Sequence, residues 1–240
     1  MTIPAQSNNP LIVALDFPTM AEAETMAKKL APAVRFFKIG MELFTAEGPE
    51  AVRRLSHAGE RVFLDLKFHD IPNTVGAACE AAARLGVTFI NVHASGGEKM
   101  LFQAVQSVHR WAETAKAVPP KILAVTVLTS LAETDLPMIG VKGKIKAQVE
   151  RLAVMAQRCG LDGVVASPQE IEAIRNAAGK NFLIVTPGVR PIWAAKGDQK
   201  RVMTPREAIE KGADYIVVGR PITQAPDPLE AARKILNEIK

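Results

Sequence analysis

The sequence predicts a single closed (β/α)8 barrel of parallel strands over residues 1–240, with 1–10 as a short polar lead. Three observations predict it. Eight short apolar runs alternate with longer segments of helical periodicity. Eight units in 240 residues is about 30 residues each, the length of one strand–helix pair. The first run leads into ALDFPT, which has no glycine. The glycine-rich phosphate turn that an open doubly wound sheet carries after its first strand is therefore missing.

The runs follow in order. LIVALD, from Leu11, is apolar on both faces, as a buried parallel strand is, and ends in Asp16. The segment after it, MAEAETMAKKLAPAV, puts Met20, Ala23, Met26, Ala27 and Leu30 on one helical face. FFKIGM, from Phe36, holds Lys38 between Phe37 and Ile39. RVFLDL, from Arg61, follows Gly59 and leads through Asp65 to Lys67. FINVHA, from Phe89, follows Gly86 and ends near His93. KILAVTVL, from Lys121, is followed by Thr129 and Ser130. GVVAS, from Gly163, comes after the seam at Gly160. FLIVTPG, from Phe182, is followed by Arg190, and YIVVGR, from Tyr215, follows Gly212 and ends in Arg220. Glycine at the seams marks where one unit passes to the next.

Apolar residues make up 48% and charged residues 23% of the chain, the proportions of a globular protein rather than a disordered one. No stretch approaches the roughly 18 consecutive apolar residues of a membrane span. MTIPAQSNNP has neither the basic nor the apolar region of a signal peptide, so a cytoplasmic protein without membrane contact is expected. Thirty Lys and Arg against 25 Asp and Glu leave a net charge of +5. The basic residues are dispersed and aromatics are only 5%, which argues against nucleic acid and suits an anionic small molecule. Cys79 and Cys159 lie far apart in helix-like segments and read as small buried residues of a reducing compartment.

In such a barrel the chemistry sits at the C-terminal ends of the strands. Asp16, Lys38, Asp65, Lys67, His93, Thr129, Ser130, Arg190 and Arg220 all fall there. A charge inside an apolar strand is costly to bury unless paired, so this concentration marks a site. DLKFHDIPNT, from Asp65 to Thr74, is its densest part. Strand alternation turns Asp65 and Lys67 to one face, about 7 Å apart at Cβ. Asp70 follows in a loop, and Pro72 suits the first turn of the next helix. Two carboxylates thus surround one ammonium, with Lys38 beside them. VRPIWAAKGDQKRV, from Val189 to Val202, reads as a long loop whose Arg190 and Gln199 could grip a phosphate with Arg220, with Gly197 as a hinge. A helix start near Pro226–Leu229 could add backbone donors. His57 and His109 read as helix surface residues, His69 as part of the signature, and His93 as structural. No His, Asp, Glu or Cys set has metal-ligand spacing, so neither metal nor cofactor is expected.

The chain resembles the orotidine 5′-phosphate decarboxylase family over essentially its whole length. DLKFHDIPNT resembles that family's D-x-K-x-x-D-I-P-x-T signature, which is specific. ALD at Ala14–Asp16, FKIG at Phe37–Gly40, VTVLTS at Val125–Ser130, TPGVRP at Thr186–Pro191 and VVGRPI at Val217–Ile222 resemble its other blocks. The resemblance implies decarboxylation of orotidine 5′-phosphate to UMP in pyrimidine synthesis. Lys67 would protonate C6, with Asp65 near the departing carboxylate and Lys38 and Asp70 completing an alternating row of charges. Asp16, Lys38 and Thr74 would hold ribose hydroxyls. Ser130 would bond the pyrimidine amide beside Thr129. Gln199, Gly219 and Arg220 would bind the 5′-phosphate with Arg190 close by. The enzyme would be a homodimer in which Asp70, Ile71 and Thr74 serve the partner's site. The rivals are a Mg²⁺-dependent decarboxylase resembling the 3-keto-L-gulonate 6-phosphate group, with Glu42 in the neighbourhood of its extra carboxylate, and a non-catalytic phosphosugar-binding barrel. The LTS block and the Gln199-bearing loop argue against the Mg²⁺-dependent group.

Overall fold

A computed structural model of the chain describes residues 9–194 and 203–240. The strands are β1 (Leu11–Ala14), β2 (Phe36–Ile39), β3 (Arg61–Phe68), β4 (Phe89–His93), β5 (Lys121–Val125), β6 (Gly163–Val165), β7 (Leu183–Pro187) and β8 (Tyr215–Val218). Each pairs in parallel with the next, and β8 returns to β1, so the sheet closes. The helices are α1 (Met20–Leu30), α2 (Met41–Glu47), α3 (Pro49–His57), α4 (Pro72–Ala83), α5 (Glu98–Ala115), α6 (Ile145–Arg158), α7 (Ile171–Ala178), α8 (Pro205–Glu210), α9 (Arg220–Thr223) and α10 (Pro228–Glu238). This is the barrel the alternating runs predict.

The apolar periodicity explains the layering. In α1, Met20, Ala23, Ala27 and Leu30 are buried against the sheet, while Met26 is partly buried at the edge of the same layer. Thr19 caps that helix by accepting from Glu22 N, and Lys28 and Lys29 lie in its last turn, where a positive charge suits the helix dipole. Most of the core lies between strands and helices. A second, smaller cluster fills the barrel itself, with Ile12, Phe36, Phe63, Phe89, Leu123 and Val185 among its members. Aromatic rings pack edge-to-face there, Phe36 on Phe89 at 5.0 Å and Phe89 on Tyr215 at 5.3 Å. Gly163 keeps β6 close to β7: a Cβ at that position would lie 2.3 Å from the Leu183 carbonyl oxygen.

Two local features depart from the sequence expectation. A four-residue helix, α9, begins directly after β8, so Arg220 opens a helix instead of closing a strand. The third strand extends through Lys67 to Phe68, and its pairing with β4 is irregular. Cys79 is buried on α4 and Cys159 is buried at the end of α6, both as free thiols. His57 on α3 and His109 on α5 are exposed. No helix among the described residues is long and apolar enough to cross a membrane.

Candidate active site

The aromatic plug positions the site. Phe36, Phe63 and Phe89 point into the barrel from β2, β3 and β4. Two residues further along each strand, side chains return to the same face. Those residues are Lys38, Asp65 and Asn91, and all three are buried.

Asp65 is the hub. Its Oδ1 accepts from Lys67 Nζ at 2.7 Å and from Asn91 Nδ2 at 2.7 Å. Its Oδ2 lies 3.5 Å from Lys38 Nζ. Lys38 Nζ also donates to Asp16 Oδ1 at 2.9 Å. Charges therefore alternate along one row, Asp16, Lys38, Asp65, Lys67. Burial pushes the Asp65 carboxyl up, but the two ammonium groups and the hydrogen bonds from Lys67 and Asn91 outweigh it and hold the group below its ordinary value. Asp65 is thus ionised at neutral pH. Gly40 must be bare here, since a Cβ would sit 2.9 Å from Lys38 Nζ and 3.1 Å from Asp16 Oδ1.

The contact between Asp65 and Lys67 does not arise from plain strand alternation. Leu64 pairs with Ile90 and Phe68 with Val92, so β3 advances four residues while β4 advances two. The surplus bulges toward the barrel mouth. Lys67 takes a left-handed backbone, with φ of 53°. A non-glycine residue held there costs on the order of 1–3 kcal/mol, which the surroundings must offset. Its N–H donates to Asn91 Oδ1 at 2.8 Å. Asn91 is not among the residues that charge or motif marks in the sequence. Its signal was there, a carboxamide at an inward position of the apolar run FINVHA.

Lys38, Asp65 and Lys67 line one cavity with Thr129. Its remaining wall is largely apolar, including Phe63, Val125, Val165, Pro187 and Val217. A cavity with cations and a carboxylate along one side and apolar walls elsewhere suits a small anionic ligand with an apolar face. His93 is half-buried near this row, with its ring 5.3 Å from that of exposed His69. Burial, His69 and Lys67 lower its pKa against the opposing pull of Asp65, so His93 is neutral at neutral pH. Among the described residues, no three His, Cys, Asp or Glu side chains are grouped to hold a metal ion, and Glu42 is exposed in the first turn of α2.

The family model described as "Orotidine 5'-phosphate decarboxylase / HUMPS family" matches residues 9–235. The chain belongs to this family. The orotidine 5′-phosphate decarboxylase of Moorella thermoacetica is 54% identical over 231 residues, 96% of this chain and 92% of the relative. That of Syntrophomonas wolfei is 52% identical over 237 residues, 98% of this chain and 99% of the relative. The crystal structure of the Lactobacillus acidophilus orotidine 5′-phosphate decarboxylase superposes with a TM-score of 0.86 at 41% identity, covering 96% of this chain and 99% of that one.

The remaining residues singled out in the sequence are placed as follows. Gly219 precedes α9 and packs beside Asp16: a Cβ on it would lie 3.5 Å from Ala14 Cβ and 4.0 Å from Asp16 Oδ2. Arg220 is the first residue of α9 and is exposed, and Arg190 is buried after β7. The Arg190 N–H donates to the Met203 carbonyl at 2.9 Å, and Val189 bridges Met203, so the two described ends of the predicted loop are tied together. Gln199 and Gly197 lie outside the described residues. Ser130 is exposed in the loop beyond Thr129. Asp70, Ile71 and Thr74 are exposed too, and within one chain Asp70 bonds its neighbour, accepting from Ile71 N at 2.5 Å, rather than joining the Asp65 row.

Proposed function

We propose that the chain converts orotidine 5′-phosphate to UMP and CO2 in pyrimidine nucleotide synthesis, using Lys67 as the acid and no cofactor. The observation that carries this reading is the ion-paired row Asp16–Lys38–Asp65–Lys67, centred on buried Lys38 and Asp65, of which Lys38, Asp65 and Lys67 line a cavity otherwise largely apolar. The family model's description carries two names, so it does not choose the reaction alone. The relatives do: those at about 50% identity over nearly their whole length carry the decarboxylase name.

Breaking the bond from C6 to the carboxylate leaves an electron pair in an sp² orbital of the pyrimidine ring. No carbonyl is placed to take that charge as an enolate. The protein must hold it electrostatically and then protonate it. Lys67 Nζ, kept charged by Asp65 at 2.7 Å, is the group to do both. CO2 leaves as the bond breaks, one N–H proton of Lys67 passes to C6, and the resulting amine takes a proton back from solvent. Asp65, fixed and ionised, faces the substrate carboxylate and favours its departure. Lys38 and Asp16 bind ribose hydroxyls, and Thr129 with Ser130 takes the pyrimidine edge. Arg190, Gln199, Gly219 and Arg220 hold the phosphate. Enzymes lower barriers by roughly 8–23 kcal/mol, more than one ammonium supplies, so phosphate binding must contribute to closure and positioning.

The enzyme acts in the cytoplasm as a homodimer with shared sites. What supports sharing is the position of Asp70, Ile71 and Thr74, exposed in one chain, with Ile71 a large apolar side chain 67% accessible. A two-fold interface gives each copy's loop to the other's site. The test is direct. Purified protein treated exhaustively with chelator should consume orotidine 5′-phosphate, with loss of the orotate absorbance and formation of UMP. The Lys67→Ala variant should bind UMP and turn nothing over. Turnover only with added Mg²⁺ would transfer the chain to the Mg²⁺-dependent sugar-phosphate reading. Binding without turnover by the unaltered chain would make it a phosphosugar-binding barrel.

A further inference from the structure

We propose that Asn91 is a positioning residue for the reaction, aligning the Lys67 ammonium and the Asp65 carboxylate by bonding both the backbone of one and the side chain of the other. The inference rests on the decarboxylase reading above. Asn91 is fully buried on β4, facing into the barrel. A carboxamide in such a place is costly unless its donor and acceptor are both used. Here both are. Its Oδ1 accepts from the Lys67 N–H at 2.8 Å, and its Nδ2 donates to Asp65 Oδ1 at 2.7 Å.

The orientation of this amide is dictated by its partners. A backbone N–H can only donate, so Oδ1 must face Lys67 N. That turns Nδ2 onto Asp65, where it finds an acceptor in the carboxylate oxygen Oδ1. The same oxygen also receives the Lys67 ammonium at 2.7 Å. Asn91 therefore fixes the Lys67 backbone relative to the carboxylate that its ammonium bonds.

The bulge shows why this is needed. Between the Leu64–Ile90 and Phe68–Val92 pairs, β3 carries two more residues than β4. Regular ladder bonding stops there. The Lys67 N–H would lose its strand partner, and the left-handed backbone at φ 53° would be unsupported. The Asn91 side chain replaces the missing ladder acceptor. Without it Lys67 has a lower-energy extended backbone available, which would carry Nζ away from the reacting carbon.

Two variants test this, with kcat, KM and the Kd for UMP measured alongside thermal unfolding. Asn91→Asp keeps shape and volume but presents an acceptor where Asp65 needs a donor. Asn91→Ala removes both bonds. For each, kcat should fall about 30- to 1000-fold, the effect of losing two hydrogen bonds, one to a charged group. KM and the Kd for UMP should stay within about threefold, because the phosphate and ribose contacts come from other strands. If Asn91→Ala does not fold, the near-isosteric Asn91→Asp decides. A variant that loses thermal stability yet retains kcat would overturn the proposal and leave Asn91 a purely structural residue. Equal losses in kcat and in UMP binding would overturn it as well. Should the unaltered chain bind UMP but release no CO2 from orotidine 5′-phosphate, the decarboxylase reading itself has failed, and the positioning role falls with it.

Discussion

Replacing Asp65 by Asn should destabilise the folded protein by about 3 kcal/mol at pH 7, and the deficit should shrink in acid. The change is nearly isosteric. Asn Oδ1 can still accept from Lys67 and from Asn91, so what is removed is the charge. In the wild type that charge sits 2.7 Å from one ammonium and 3.5 Å from another. At about 4 Å, an effective dielectric of 20 makes each attraction worth on the order of 4 kcal/mol. Relief of the Asp65 burial penalty offsets much of this. Lys38 also keeps Asp16 at 2.9 Å, while Lys67 has no second carboxylate within its own chain among the described residues. Removing one partner of a buried ion pair costs about 3–5 kcal/mol, and the retained Asp16 contact places this case near the low end. The pH dependence follows from the sign of the shift. The folded-state pKa of Asp65 is depressed, so its contribution is complete above the unfolded value near about 3.9 and is lost as pH falls through the folded value. Urea unfolding at fixed protein concentration should give a constant gap between wild type and Asp65→Asn from pH 7 down to about 5, narrowing below about 4. Equal stability at pH 7, or a gap that widens in acid, would show that Asp65 is not the charge that holds the two lysines.

Complementation tests the shared site. Inactive Lys67→Ala and Asp70→Ala subunits, mixed equally and allowed to exchange, should form hybrids in about half the dimers, each with one intact site. About a quarter of wild-type activity should return. A mixture that stays inactive after confirmed exchange would mean that Asp70 serves its own subunit. Arg220→Ala should lower kcat/KM for the nucleotide by about 2–3 kcal/mol, the value of a charged hydrogen bond, while scarcely changing turnover of the phosphate-free nucleoside. Equal losses for both substrates would make Arg220 structural.

Much of this protein is legible in its sequence because its barrel is regular. Each parallel strand is covered on both faces, so each reads as a short apolar run, and each helix shows one apolar face. A charge in such a run is anomalous, and Lys38 and Asp65 declare themselves that way. The DLKFHDIPNT signature also places Asp70 and Thr74 next to the strand that carries Lys67. The sequence does not tell how Lys67 meets Asp65. Alternation predicts the pairing, yet the contact comes from a two-residue excess in β3 and a left-handed backbone at Lys67. A bulge is a mismatch between two strands and has no signature in either one alone. Asn91 is hidden in the sequence for the same reason: its worth lies in lying opposite that bulge, where its amide meets a backbone N–H and a carboxylate 24 and 26 residues away along the chain. The fold class, the charged positions and the signature loop are properties of local pattern, so they can be read along the chain alone. The geometry that sets the Lys67 ammonium against the Asp65 carboxylate depends on the register between neighbouring strands, which exists only once the barrel has closed.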